Sequence, residues 1–176
     1  MRDALAAMRP PNPRHPFPST EGRSKGLNAL GLFAHHPELA LAYNTFNGHV
    51  LFASTIAPRE RELLVLRVAH LRQAPYEWAQ HAILALDNGL TDADVTRVAA
   101  GPDAPGWSTT DAALLRAVDE LVHDACIADE TWTALATELD AQQLLDLVFT
   151  VGTYDLLAMA FNSFGVQLDD DLRGAR

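Results

Sequence analysis

The stretch Pro58–His81, PRERELLVLRVAHLRQAPYEWAQH, decides the fold. Proline fits the first turn of a helix, where its missing amide hydrogen would have had no partner anyway, so Pro58 and Pro75 each predict a helix start. From Pro58 the apolar residues Leu63, Val65, Leu66, Val68, Ala69 and Leu71 recur without a reason to stop before Gln73 and Ala74. From Tyr76 to about residue 88, Trp78, Ala82 and Leu86 follow successive turns, while Glu77 and His81 form an i,i+4 pair on another face. Two helices joined so briefly predict an antiparallel hairpin. Glu62 is the odd residue of the first helix, because its neighbours at i+4 and i+7 are Leu66 and Ala69, and a hairpin would bring its carboxylate toward His81.

Working outward, the pattern stays helical. Pro37 opens a helix over about residues 37–53, read from Leu39, Tyr43, Phe46 and Val50 at helical spacing; Asn47, Gly48 and His49 interrupt it and are candidates to border a cavity. Thr91 with Asp94, Ser108 with Asp111, and Asp140 with Gln143 are capping signatures for three later helices. A shorter helix is expected from Asp129, and the last helix, about 141–160, carries Leu144, Leu147, Val151, Leu157 and Phe161, with Gly152 permitting close helix approach. Cys126 reads as a small buried group, Trp107 as a cover on the core, and Asp169, Asp170 and Asp171 as a solvated tail anchored by Phe164 and Val166. Residues 1–26, rich in proline from Pro10 onward, form an arm or tail; residues 27–170 form one helical domain; residues 171–176 are a short tail.

Composition narrows the function. The chain has 176 residues, is 48% apolar, and carries 23 acidic against 13 basic side chains for a formal charge of -10. That field disfavours nucleic acid, and no basic patch offsets it. A single cysteine allows neither an internal disulfide nor a CxxC redox pair. No signal core and no uninterrupted apolar run predicts a membrane span, so a cytoplasmic location is the default expectation. No glycine-rich phosphate loop, dinucleotide fingerprint or HExxH motif is present, and no cofactor or metal is expected.

The chemistry on offer is therefore acid–base work by Glu62, Glu77 and His81. A neutral His81 can take a proton while Glu62 stabilises the imidazolium and Glu77 assists a second transfer. The opposite inventory, in which buried Glu62 is the acid, is equally open from sequence. Arg67 is a candidate anion partner, and Tyr76 and Trp78 are candidate walls of a small-molecule pocket; Arg72 and His70 read as packing or surface residues. A noncatalytic helical interaction protein, with the same residues at a helix junction, is the competing reading.

RERELLVLRVAHLRQAPYEWAQH, followed by ALDNGLTDADVTRVAA, resembles the carboxymuconolactone decarboxylase family, related to alkylhydroperoxidase D, and similarity of character extends over about residues 27–170. The resemblance implies an all-α, AhpD-like domain with a central antiparallel helix pair that assembles as a dimer, trimer or hexamer. Its peroxidase branch carries a glutamate, a CxxC segment and a histidine, whose spacing maps onto Glu62, Ala74, Glu77 and His81, so both cysteines are missing here. That departure removes the sulfur nucleophile and its resolving partner. The decarboxylase branch, which needs neither, implies a lyase acting on a small carboxylated or lactone-like substrate; an alkylhydroperoxidase-like oxidoreductase with a different, non-CxxC relay is the chemical alternative.

Overall fold

The computed structural model describes residues 1–17 and 24–172; residues 18–23 of the proline-rich arm and 173–176 of the tail lie outside the described residues. The described residues form nine α-helices and no strand: α1 Arg2–Ala7, α2 Leu27–Ala34, α3 Pro37–Gly48, α4 Pro58–Leu71, α5 Pro75–Asp87, α6 Asp92–Ala100, α7 Thr109–Asp124, α8 Asp129–Ala136 and α9 Ala141–Ser163. One π-helical turn, His49–Ala53, extends α3. The starts follow their local chemistry. Pro37, Pro58 and Pro75 occupy the first helical positions of α3, α4 and α5, and Thr91 and Asp140 close reciprocal caps with Asp94 and Gln143.

Helix α4 is the axis of the molecule. Every residue from Arg61 to Ala69 is buried, so this helix has no solvent face and is enclosed by α5, α6, α7 and α9. Leu64, Val65 and Val68 face a core shared with Leu114, Val118, Leu147, Val151 and Phe161. Leu63 and Leu66 face a second one with Leu90, Val98 and Leu115, which Trp107 covers. The three-residue turn Arg72–Ala74, with Gln73 at φ 49°, sends the chain back as α5 and sets residue 81 beside residue 62.

Several expectations are corrected here. Leu39 and Phe46, part of the apolar spacing that predicts this helix, are exposed, and α3 instead buries Ala40, Asn44 and Asn47, which recur at i, i+4 and i+7. The amino-terminal residues contain α1, seated against α3 so closely that a Cβ at Gly48 would stand 2.7 Å from the Met8 carbonyl oxygen. Gly152 faces outward with no neighbouring atom, so it serves no helix contact. Cys126 is exposed because α7 ends at Asp124 and Ala125 turns the chain at φ 57°. Phe164 is exposed, whereas Val166 packs against the core as expected, and the buried Asp169 also anchors the carboxy-terminal segment. Helix α9 is long and apolar enough, by length and composition, to cross a membrane, contrary to expectation; in this fold over half of its most apolar window is buried, and it packs along α4.

Candidate active site

Glu62 is completely buried, and a carboxylate there requires compensation. It has that. Arg61 donates to Oε1 from Nη2 at 2.8 Å and Nε at 3.2 Å, Asn88 Nδ2 approaches the same oxygen at 3.5 Å, and His81 Nδ1 lies 2.7 Å from Oε2. Burial pushes the Glu62 carboxyl up, but the paired His81 and Arg61 outweigh it and hold its pKa below the ordinary value. Of the two proton inventories open from sequence, the one with an ionised Glu62 fits. Arg61 also donates to the Leu51 carbonyl at 2.6 Å, tying the ion pair to the π-helical turn. The His81 ring is further fixed by a T-shaped contact with the Tyr154 ring, 4.8 Å between centroids and 87° between planes. Nε2 of His81 has no partner among the described residues.

Glu77 is the chemical opposite. It is buried, neither of its oxygens is hydrogen-bonded, and burial, with Asp155 nearby, pushes its carboxyl up to about 8. At neutral pH it is mostly a carboxylic acid. Glu77 and His81 line one cavity of about 290 Å3, at the small end of the roughly 300–1,000 Å3 usual for small-molecule sites. Its opposite wall is α3, where the Tyr43 hydroxyl, Asn44 Nδ2 and Asn47 Oδ1 are buried and equally unpartnered. Burial, with the Glu77 charge beside it, pushes the Tyr43 hydroxyl well up. Apolar side chains of Phe33, Leu84, Leu157 and Phe161 complete the lining of this open-sided cavity, and exposed Lys25 stands on its rim. A larger surface groove of about 900 Å3, bordered by Leu27, His35, Phe164 and Asp170, contains none of Glu62, Glu77 and His81.

Of the residues singled out from sequence, the structure brings Glu62, Glu77, His81 and Tyr76 together. Tyr76 lines the cavity and donates to Asp169 Oδ2 at 2.8 Å. Asp169 also accepts from Asn28 N, Ser24 Oγ and Gln80 Nε2, so it pins the carboxy-terminal segment beside the cavity rim instead of lying in solvent. Arg67 and Trp78 are elsewhere. Arg67 makes a two-point contact with Asp119 on α7, at 2.6 and 2.8 Å, and donates to the carbonyls of Val98 and Ala99, which leaves it no reach toward the cavity. Trp78 packs on the α6 side of α4 and against His70. Arg72 is paired with Asp155, and exposed His49 with Asp146. Sequence reasoning missed Tyr43, Asn44 and Tyr154 as cavity residues; the spacing of Ala40, Asn44 and Asn47 was the available signal, hidden behind a more apolar stripe on the same helix. Among the described residues, no three His, Cys, Asp or Glu side chains are grouped to hold a metal ion.

Residues 37–120 match the model of the carboxymuconolactone decarboxylase family. No curated protein is significantly similar in sequence. Solved structures match in fold. A putative antioxidant defence protein AhpD from Agrobacterium tumefaciens superposes with a TM-score of 0.73 at 17% identity, covering 78% of this chain and 94% of that one. An uncharacterized peroxidase-related protein with an alkylhydroperoxidase AhpD core, from Ralstonia eutropha JMP134, gives 0.73 at 15%, covering 93% and 95%. The debrominase Bmp8 gives 0.70 at 12%, covering 98% and 87%. At these identities the likeness establishes the fold, an AhpD-like helical domain, and no activity.

Proposed function

We propose that this protein is a cofactor-independent acid–base enzyme acting on a small carboxylated or lactone-like metabolite, with decarboxylation as its reaction. One observation carries the reading: Glu77 is a buried, unpartnered carboxyl in the same small cavity as His81, whose ring is held by Glu62. Catalytic sites are where titratable groups are driven apart in this way, one carboxylate kept ionised and its neighbour kept neutral. The family match over α3–α7 supports a small-molecule enzyme of this class.

In the reaction, the bond from the substrate carbon to its carboxylate breaks, carbon dioxide departs, and the electron pair passes into an adjacent carbonyl as an enolate. Protonated His81 then delivers a proton to carbon, and Glu62 stabilises the imidazolium before and during transfer. Lys25 gives an approaching anion a cation at the rim, and the mostly apolar lining of the cavity favours the less concentrated charge of the enolate over that of the carboxylate. The AhpD-like structures also raise a thiol peroxidase reading, but no cysteine lines the cavity, and Cys126 stands beyond the end of α7. The test is conversion of a mixed metabolite pool followed by mass, comparing the unaltered protein with a folded His81→Ala variant. Loss of carbon dioxide from a compound only with the unaltered protein supports decarboxylation. Undiminished turnover by His81→Ala would overturn the proton-transfer role.

A further inference from the structure

The cavity holds more hydrogen-bonding capacity than a proton relay between His81 and its substrate uses. Tyr43 Oη, Asn44 Nδ2 and both oxygens of Glu77 are buried without partners, and the three residues line one small volume. An unmet buried donor is destabilising, so three of them facing one cavity call for an acceptor that a ligand brings. The nearest guanidinium cannot serve, since Arg61 is committed to Glu62 and the Leu51 carbonyl. Besides the acceptor Asn47 Oδ1 and the rim cation Lys25, what remains is a set of neutral donors, and a tyrosine hydroxyl beside a protonated carboxylic acid in an apolar site is well suited to an enolate oxygen.

We propose that the Tyr43 hydroxyl, the Asn44 amide and the Glu77 carboxyl form an oxyanion site, and that the substrate is a small carbonyl compound reacting through its enolate. This rests on the acid–base reading above and narrows its substrate. The carbonyl oxygen sits among the three donors, and the apolar body of the molecule lies against Phe33, Leu157 and Phe161. As carbon dioxide leaves the neighbouring carbon, the electron pair of the broken bond forms the carbon–carbon double bond and the carbonyl π pair moves to oxygen. The three donors hold that charge until the His81 imidazolium proton reaches carbon and the carbonyl re-forms. Glu77 keeps its proton throughout, so it binds the oxyanion while His81 serves the carbon.

Phenols are the probe, because a phenolate copies the charge and shape of an enolate. At neutral pH, 4-nitrophenol is expected to bind with the absorbance of its anion, and unsubstituted phenol to bind at least as tightly relative to its lower acidity. Tyr43→Phe keeps the ring stacked on Phe33, 5.2 Å away, and so tests the hydroxyl without disturbing the fold. It is expected to weaken 4-nitrophenol roughly tenfold or more and to shift the bound absorbance toward the neutral phenol, as is Asn44→Ser. His81→Ala should leave the bound anion in place while it removes turnover, so failure of the oxyanion site and failure of the acid–base reading are read separately. Binding of 4-nitrophenol only as the neutral phenol, or equal affinity and absorbance in Tyr43→Phe and the unaltered protein, would overturn the proposal.

Discussion

At the scale of single residues, two carboxyls a helix apart are driven in opposite directions by their partners. Glu62 is fully buried yet stays ionised, because His81 and Arg61 compensate it. Glu77 has no such partner, and burial raises its carboxyl from 4.5 to about 8. A raised carboxyl makes its full contribution to stability below the ordinary carboxylate range and loses it as the pH climbs, here between about 4.5 and 8. Glu62 has the reverse sign: its contribution is present at neutral pH and is lost as the pH falls through its lowered value. Glu77→Gln, which keeps the shape and an N–H donor but cannot ionise, is therefore expected to lower turnover by no more than roughly tenfold. Its stability relative to the unaltered protein should rise with pH up to about 8 and level off above, by a few kcal/mol in order of magnitude. Urea unfolding at a series of pH values checks this, and a flat difference across that range would mean that Glu77 is solvated. The sequence made Glu77 and His81 legible because i,i+4 spacing puts them on one face, and Glu62 because the short junction before Pro75 folds α4 and α5 into a hairpin. It could not assign their protons, since that depends on Arg61, Asn88 and Asp155, whose approach is set by tertiary packing.

At the scale of elements, α4 shows why charged residues on a buried helix are ambiguous from sequence. Arg61 and Arg67 occupy the same helix, and both are buried and multiply bonded. Arg61 supports the acid–base pair, whereas Arg67 fastens α4 to α7 through Asp119 and to the end of α6 through backbone carbonyls. Nothing in their spacing separates those fates, because the helix is enclosed on every side. Arg67→Ala strips Asp119 of its partner and two carbonyls of a donor, and is expected to cost roughly 2–4 kcal/mol, discounted because Asp119 keeps some solvent contact. Turnover per folded molecule should stay unchanged; a rise in KM with stability intact would instead restore Arg67 as a substrate residue. Helix α3 was legible only in part, Asn47 as a cavity border but not Asn44, for a related reason. Its Leu39, Phe46 stripe is the more apolar one, but the cavity selects the Asn44, Asn47 side, and a ligand site is where burial and hydrophobicity part company.

At the scale of the whole molecule, the feature the fold leaves unexplained is the outer face of α9. Leu145, Phe149, Leu156 and Met159 are each at least half exposed and stand on one side of that helix, with Gly152 among them and Phe46 set edge-on to Phe149 at 6.0 Å. A row of this length on one helix is what a soluble monomer usually avoids. The family resemblance implies assembly, and we propose that a second copy of the chain covers this face. The net charge of -10 opposes association at long range, but screening within about 8–10 Å at moderate salt removes most of that repulsion and leaves the apolar contact. Self-association should therefore strengthen with ionic strength, the opposite of an assembly held by ion pairs. Phe149→Asp combined with Leu156→Glu is expected to shift sedimentation to the monomer while the helical circular dichroism stays as it was, because neither side chain contributes to the buried core of its own chain. A monomer already present in the unaltered protein at high salt would sink the idea. Because α9 also carries Tyr154 against His81 and Asp155 near Glu77, the same variant reports whether assembly steadies the cavity: turnover falling in step with dissociation would tie the two together.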